Sequence, residues 1–357
     1  MKGGISLKTS IRVMVIILIL TAIGFFMTIR EDHDEVVRNQ NRKNSNDVQL
    51  LEQPPSKNKS TTIQTEGLFN LIGNTTKELE AELGKPERVD LSAYGYKWWI
   101  YNSNADKYVQ VGVLADKVVT IFAIGKDVNI RPFYIGEPIS EIYANYFIES
   151  IVSLNYDDNS YYFELSEEDI NSRPLIQLGN VFVQLYIDKF SGKVSSVRLM
   201  DVPTLIKLHP FNLDNKELKA AKGNTKVDQE KLAMSNEKQL FDLVNIVRMR
   251  LNLKPLLWDE KAMMVASEHS KNMYESREGS KQADHFEDLS DRLIAAELNV
   301  QMAEENVATD YLDAPAIVEG WMNSEAYREK LLNNDFTHTG IGIYKGYYTQ
   351  ILLQMLK

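Results

Sequence analysis

The chain has 357 residues, 44% of them hydrophobic, which suffices for two or three domains with their own cores and excludes a wholly disordered chain. Its 40 Lys and Arg against 50 Asp and Glu leave a formal charge of −10, which argues against a nucleic-acid partner. With no cysteine, disulfides, thiolate metal sites, a cysteine nucleophile and a lipid-modified cysteine anchor are all excluded, so any metal must be held by His, Asp or Glu.

Val13 to Ile29 is a run of 17 residues without a charge, at the lower end of the roughly 17–25 a spanning helix needs. Lys2, Lys8 and Arg12 precede it, and Glu31, Asp32, Asp34 and Glu35 follow soon after it. That asymmetry puts residues 1–12 in the cytoplasm and everything after residue 30 outside. A single-pass signal anchor over residues 13–29 is the favoured reading. Phe25, Phe26 and Met27 stand where a cleaved signal peptide, and so a secreted product, would need small residues. An extracytoplasmic chain without cysteine suggests a Gram-positive envelope. Residues 30–65 are polar, lack aromatics from Arg38 onward, and read as a disordered stalk.

Residues 66–205 carry an internal duplication. Leu71-Ile-Gly73 with Glu78-Leu79 matches Tyr134-Ile-Gly136 with Glu141-Ile142. Tyr108-Val-Gln110 leading to Asp116-Lys-Val118 matches Phe182-Val-Gln184 leading to Gly192-Lys-Val194. Each copy predicts a helix followed by antiparallel strands. In the first, Thr75 or Thr76 caps a helix that Gly84-Lys-Pro86 ends. Strands follow at Lys97 to Tyr101, Tyr108 to Leu114 and Val118 to Ile124, with Ala115-Asp116 as a turn. Trp98, Trp99 and the many tyrosines read as sheet packing in preference to a stacking platform for a ligand.

A polar stretch, residues 206–234, reads as a linker before a last domain at 235–357. Asn236 with Gln239 resembles a capping box for a helix with Leu240, Val244, Val247 and Leu251 on one face, ended by Pro255. Asp259 caps a second helix, on whose buried stripe of Ala262, Ala266 and Met273 lies His269, a hydrogen-bonded core histidine. Ala314 to Leu332 is helical with a fresh turn at Ser324. His338 reads as a loop residue, and Glu304 as solvated. Thr339 to Tyr344 and Tyr348 to Leu353 form a hairpin in which Gly340 and Gly342, at alternate positions, permit close approach of a neighbour.

Phe241-x-x-Val-Asn245-x-x-Arg248, Leu256-x-Trp258-Asp, Ala266-Ser-Glu-His269-Ser270, Asp284-His285-Phe286, Glu305-Asn306-Val307-Ala308, Trp321-Met-Asn-Ser324, Thr339-Gly-Ile-Gly342 and Tyr348-Thr349-Gln350 occur in that order. In order and spacing they resemble the CAP superfamily of cysteine-rich secretory, antigen 5 and pathogenesis-related proteins. The duplicated region resembles the CAP-associated N-terminal domain of bacterial surface proteins. The resemblance implies an α+β chain: a three-layer α-β-α CAP sandwich preceded by the duplicated small α+β domain and the transmembrane helix.

It also implies a groove, lined here by His285, Glu305, Asn306, Ser324, Tyr327 and Tyr347, where family members can carry two histidines and two glutamates that bind zinc or another divalent ion. His285 and Glu305 stand at two of those positions. Tyr347 and Tyr327 stand where relatives carry imidazoles, and a phenol with a reference pKa of about 10 is a poor zinc ligand. No metal cofactor is therefore expected, with His285 and Glu305 as weak candidates for a hard cation. A hydrogen-bonded structural pair is preferred for these two over an acid–base catalytic pair.

The G-x-S-x-G, H-E-x-x-H and phosphate-loop patterns are missing. Residues 235–357 carry 13 basic and 20 acidic residues, which disfavours adhesion to anionic lipid or teichoic polymers. The leading expectation is a non-enzymatic, membrane-anchored binding module for a cell-envelope peptide, glycan or lipid. The alternatives are a peptide or peptidoglycan hydrolase using Glu305 as base and His285 as acid or metal ligand, and an envelope scaffold.

Overall fold

The computed structural model describes residues 37–38, 64–214, 228–277 and 288–356. The expected anchor at 13–29, nearly all of the expected stalk, the linker centre at 215–227, and His285 lie outside the described residues. Among the described residues no helix is long and apolar enough to cross a membrane. A short strand β1 (Val37–Arg38) comes first.

Helix α1 (Thr76–Leu83) starts on a capping box: Thr75 Oγ1 accepts from the Glu78 N–H at 3.3 Å, and the Glu78 carboxylate accepts from the Thr75 N–H at 2.7 Å. Gly84, at φ 80, ends it. Strands β2 (Arg88–Leu91), β3 (Lys97–Tyr101), β4 (Val109–Leu114) and β5 (Lys117–Ala123) follow as an antiparallel meander. Its last turn is Ala115-Asp116, both at positive φ as a tight hairpin requires.

The second half runs α2 (Ile139–Asn145), β6 (Ile151–Tyr156), β7 (Asn159–Glu164), α3 (Glu167–Ser172), β8 (Leu175–Leu178), β9 (Val181–Asp188) and β10 (Lys193–Met200). Helix α4 (Val202–Leu208) and strand β11 (Asn212–Asp214) close it. The main sheet has seven strands in the order β2-β3-β4-β5-β10-β9-β8, while β11-β7-β6 form a separate sheet of three. Matched positions of the two halves make matched contacts. Gly73 and Gly136, at φ 87 and 90, donate their N–H groups to the Val118 and Val194 carbonyls, each at 2.8 Å.

Period-two alternation sorts the main sheet's side chains. Val111, Ile121, Leu185 and Val197 pack with Leu79 of α1 and Ile142 of α2. The opposite face carries Trp98, Thr120, Phe122, Tyr186 and Arg198, all buried. Trp98 meets Tyr96 edge-on at 5.0 Å, so its ring is packing in the sheet.

The last third contains α5 (Gln229–Arg250), β12 (Leu257–Trp258), α6 (Glu260–Arg277), α7 (Leu289–Ala295) and β13 (Val300–Thr309). It continues with α8 (Ala314–Met322), α9 (Glu325–Leu332), β14 (His338–Tyr344) and β15 (Tyr347–Met355). The sheet order is β1-β13-β15-β14-β12. Helices α6 and α7 cover one face through Ala262, Val265, Ala266 and Leu293 against Ile351 and Leu353. Helices α5, α8 and α9 cover the other. Helix α6 presses directly on β14: a methyl on Gly340 would lie 2.1 Å from the Met263 nitrogen, and one on Gly342 2.0 Å from the Ser267 nitrogen. The alternate glycines are thus the contact surface.

Three sequence expectations change. Helix α5 starts seven residues before Asn236, capped by Asp228, so Asn236 and Gln239 are interior rather than a capping box. Polar side chains survive there because this helix face is covered: Ser235 Oγ accepts from the Leu91 N–H of β2 at 3.0 Å. Second, α4 reaches residue 208 and α5 begins at 229, so regular structure enters both ends of the 206–234 segment. Third, His338 opens β14, where it pairs with Leu353, instead of lying in a loop.

The two sheets share a helical layer, because α5 and α8 also cover the polar face of the main sheet. Arg88 donates to Asp242 at 2.8 Å and Arg198 to Asp313 at 2.7 Å. Arg328 grips Asp188 with two nitrogens at 2.9 and 3.1 Å. Glu319 accepts from both Ser195 and Ser196, and burial raises its carboxyl above the usual range against the pull of those hydroxyls. Arg198 is fully buried, and its Nε and Nη1 have no hydrogen-bond partner among the described residues. Asp313→Asn or Arg198→Met alone should cost about 3–5 kcal/mol in urea unfolding, by stranding a buried charge. The double variant Arg198→Met/Asp313→Asn, whose amide oxygen keeps the cap on the Ala316 N–H, should cost much less than the sum of the two, and an additive cycle would contradict this.

Candidate functional site

Strands β13 and β15 are antiparallel, with Glu305 opposite Ile351 and Thr309 opposite Tyr347. Alternation puts Glu305, Val307 and Thr309 on the face under α6 and α7, and Asn306 and Ala308 on the face under α8 and α9. The expected groove residues therefore divide between two sides of one sheet.

Glu305 is only 4% exposed. Its Oε1 accepts from Arg292 Nη2 of α7 at 2.6 Å and lies 4.0 Å from Nε2 of His269 on α6. Its Oε2 is buried without a hydrogen-bond partner among the described residues. Lys330 of α9 donates to the Glu305 backbone carbonyl at 3.0 Å and pairs with the Glu304 carboxylate at 3.4 Å, so Glu304 is partnered as well as solvated. His269 is buried, as its place on the apolar stripe predicts. Its carboxylate neighbour was not legible in the sequence, and Arg292 belongs to no motif.

On the other face, fully buried Asn306 donates to Gln350 Oε1 at 3.2 Å and to the Tyr327 carbonyl at 3.5 Å. Gln350 donates to Thr339 Oγ1 at 3.4 Å, and Thr339 to the Ile351 carbonyl at 2.8 Å. Trp321 Nε1 donates to the Val307 carbonyl at 3.1 Å. This network pins β13 to β15 and to the helices behind them. Ser324 caps α9 through its backbone, its carbonyl accepting from the Arg328 N–H at 2.8 Å.

Tyr347 shares the Glu305 face but sits four rungs further along the ladder, about 13 Å at ~3.3 Å per residue. Its hydroxyl accepts from Arg277 Nη1 at 3.1 Å, and the same nitrogen reaches both Asp310 oxygens at 3.1 and 3.2 Å. Tyr274 meets Tyr344 and Tyr347 edge-on at 5.4 and 5.9 Å, and Lys345 Nζ stands 4.5 Å over the Tyr274 ring. The far end of this face is thus an aromatic and cationic cluster.

These geometries decide the chemistry available. Of the Glu305 carboxylate, Oε1 is held by the Arg292 guanidinium and Oε2 has no hydrogen-bond partner among the described residues. Among the described residues no three His, Asp or Glu side chains converge as ligands.

An α-β-α sandwich with this strand order and a buried Glu-Asn pair on its first long strand defines the class to which the chain's last third belongs. The cysteine-rich secretory protein family matches residues 241–355, and the CAP-associated N-terminal family matches residues 72–211. A membrane protein of Bacillus subtilis, YlbC, is 40% identical over 345 residues, covering 96% of this chain and 98% of that protein. The crystal structure of an extracellular SCP-domain protein from Bacillus anthracis is 34% identical with a TM-score of 0.74, over 85% of this chain and all of that one. That of a cysteine-rich secretory protein from Staphylococcus aureus is 28% identical with a TM-score of 0.75, over 90% of this chain and 98% of that one. The chain belongs to the bacterial CAP family whose members carry a CAP-associated N-terminal domain.

Arg292→Met should lower stability by about 3 kcal/mol, since it leaves the Glu305 carboxylate buried without its cation. Adding Glu305→Gln should restore most of the loss, and urea midpoints of the two variants test the pairing. A second titrating group lies outside the groove. Burial pushes Glu237 of α5 up to about 7, with Glu260 adding to the rise and the Ile343 N–H opposing it. A carboxyl whose folded pKa is raised binds its proton more tightly in the folded state, so stability falls as pH climbs from about 4.5 to 7. Glu237→Gln should flatten that slope, so that its advantage over the parent protein is present at pH 8 and gone at pH 4.

Proposed function

We propose that this chain is a membrane-anchored, extracytoplasmic binding module that uses its CAP domain to hold a cell-envelope peptide, glycan or lipid without hydrolysing it. The observation that carries the proposal is the state of Glu305: buried, ion-paired to Arg292 and remote from Tyr347. A hydrolase needs that carboxylate open to water, and the nearness of His269 at 4.0 Å does not supply that access. The candidate recognition surface is the exposed Arg277 and Lys345 over half-buried Tyr274 and Tyr344, with Tyr347 buried at its base. Its two cations suit a carboxylate-bearing glycan or peptide, which would compete with Asp310 for Arg277.

Membrane attachment rests on the uncharged run at residues 13–29 and its basic flank, and on the naming of the relative YlbC as a membrane protein. The compartment follows from the same charge asymmetry.

The test compares the full chain with its His285→Ala/Glu305→Ala double variant, folding checked by circular dichroism, on muropeptides and cell-wall peptides. Neither protein should release product or carry stoichiometric zinc. Muropeptide affinity should survive the double substitution and fall about tenfold in Arg277→Ala, one decade being ~1.4 kcal/mol. Turnover by the parent chain that vanishes in the double variant would establish the hydrolase instead.

A further inference from the structure

The 40 residues from Phe133 to Ser172 contain nine Asp and Glu and no Lys, Arg or His. They build α2, the β6–β7 hairpin and α3. Asp169 is engaged by Arg173 at 2.5 Å, and Glu137 accepts from the Tyr134 N–H at 3.2 Å. Asp157 and Asp158, by contrast, are exposed at the hairpin tip at φ 49 and 60.

The same lobe exposes apolar surface. Phe147 is 86% exposed, the largest value among the exposed large hydrophobics, and Tyr143, Ile151 and Tyr162 are 42%, 43% and 39% exposed. A depression of about 450 Å³ is lined by Tyr143, Phe147, Ile148 and Ile170 among others, and Ile148 stands three residues before the start of β6 at Ile151.

Strand β6 is the edge of the three-stranded sheet. The Ser150 carbonyl accepts from the Leu165 N–H at 2.8 Å, and the register pairs Ile151 with Glu164 and Val152 with Phe163. Antiparallel alternation then turns the peptide groups of Val152 and Leu154 toward β7 and those of Ile151, Ser153 and Asn155 outward. The strand, Ile-Val-Ser-Leu-Asn-Tyr, has no lysine, proline or other device that blunts an edge. In the first half of the domain the hairpin that precedes β4 is absorbed into the main sheet and covered by α5. Here, among the described residues, no strand pairs with the outer side of β6.

We propose that the β6 edge and the depression beside Phe147 dock an extended, basic segment of another protein, which adds to the sheet as a strand and seats an apolar side chain in the depression. Outward peptide groups supply the ladder and the depression supplies side-chain selection; Asp169 and Glu168 are paired with Arg173 and Lys189 and Glu137 is buried, which leaves Glu141, Glu149, Asp157, Asp158, Glu164 and Glu167 to select positive charge. The same charge repels an anionic bilayer. The site is separate from the CAP groove and does not depend on the reading given to that groove.

The test uses the full chain and a fluorescein-labelled peptide alternating Lys with Val around one central Phe, read by anisotropy. The control peptide replaces each Lys with Glu. Ser153→Pro removes the central outward N–H while leaving the bonds to β7 in place. Phe147→Ser alters a side chain that packs on almost nothing and so tests the site even if the proline variant unfolds. The basic peptide should bind, more weakly as salt is added. Each substitution should weaken it about tenfold or more, and the acidic peptide should not bind.

The proposal is overturned by failure of the basic peptide to bind, by equal binding of the acidic one, or by affinity that Phe147→Ser leaves unchanged. It is also overturned if Phe147-dependent binding is to neutral phosphatidylcholine vesicles rather than to peptide, or if the peptide binds only after residues 39–63 are deleted, which would make the chain's own segment the occupant.

Discussion

Arg198 and Asp313 meet where the two sheets share their helices, and the rest of the molecule is arranged around that contact. Asp313 serves two partners, since the Oδ1 that receives Arg198 at 2.7 Å also caps α8 by accepting from the Ala316 N–H at 3.2 Å. Fixing α8 fixes Trp321, whose indole holds the Val307 carbonyl of β13. Val307 is two residues from Glu305, so the strand that carries the candidate site is positioned from inside the N-terminal domain. A buried ion pair adds little net stability, because desolvation consumes most of its Coulomb energy. What it supplies here is register: an apolar interface tolerates sliding, whereas an unmatched guanidinium does not. The other bridges between the sheets, Arg88 with Asp242 and Arg328 with Asp188, have the same character.

The site follows a related logic. In the family resemblance, the groove's carboxylate belongs with imidazoles and a metal. In this chain two of the imidazole positions are tyrosines, and the positive charge near Glu305 comes from Arg292. A guanidinium cannot lose its proton at working pH and donates in a fixed plane, so it neutralises the carboxylate permanently where a histidine would do so conditionally. Tyr347, at the other position where the resemblance implies an imidazole, is buried and packs edge-on with Tyr274.

Much of this architecture was legible in the sequence, for identifiable reasons. The Thr75 cap, the Ala115-Asp116 turn, Asp259 as the cap of α6, the break at Ser324 and the close approach at Gly340 and Gly342 are local, and each rests on chemistry that neighbours in the chain determine. The helix α5 start was misplaced because Asn236 and Gln239 imitate a cap. What lets them sit inside a helix is a sheet more than 130 residues away in the chain, against which Ser235 finds the Leu91 N–H. The partnership of Glu305 with Arg292 and His269 was hidden for the same reason, since no spacing rule relates β13, α7 and α6. Assigning Asn306 to the groove beside Glu305 failed on a simpler point: adjacent strand residues face opposite ways.

The two halves of the N-terminal domain show how one pattern can reach different ends. Both begin with a glycine at positive φ bonded to the valine that follows a hairpin turn. They diverge at the hairpin between their helix and their paired strands. In the first half, Arg88 and Leu91 on β2 are drawn under α5 by Asp242 and Ser235, and the hairpin completes the sheet. In the second, the equivalent ground beside β9 is taken by β8, four residues long, and the longer β6–β7 hairpin pairs with β11 instead. An edge strand kept in that position without a protective charge or proline is a liability in a protein that must stay soluble. The acidic residues around it lower that risk by repelling other copies of the same lobe, and a partner of opposite charge would escape that repulsion.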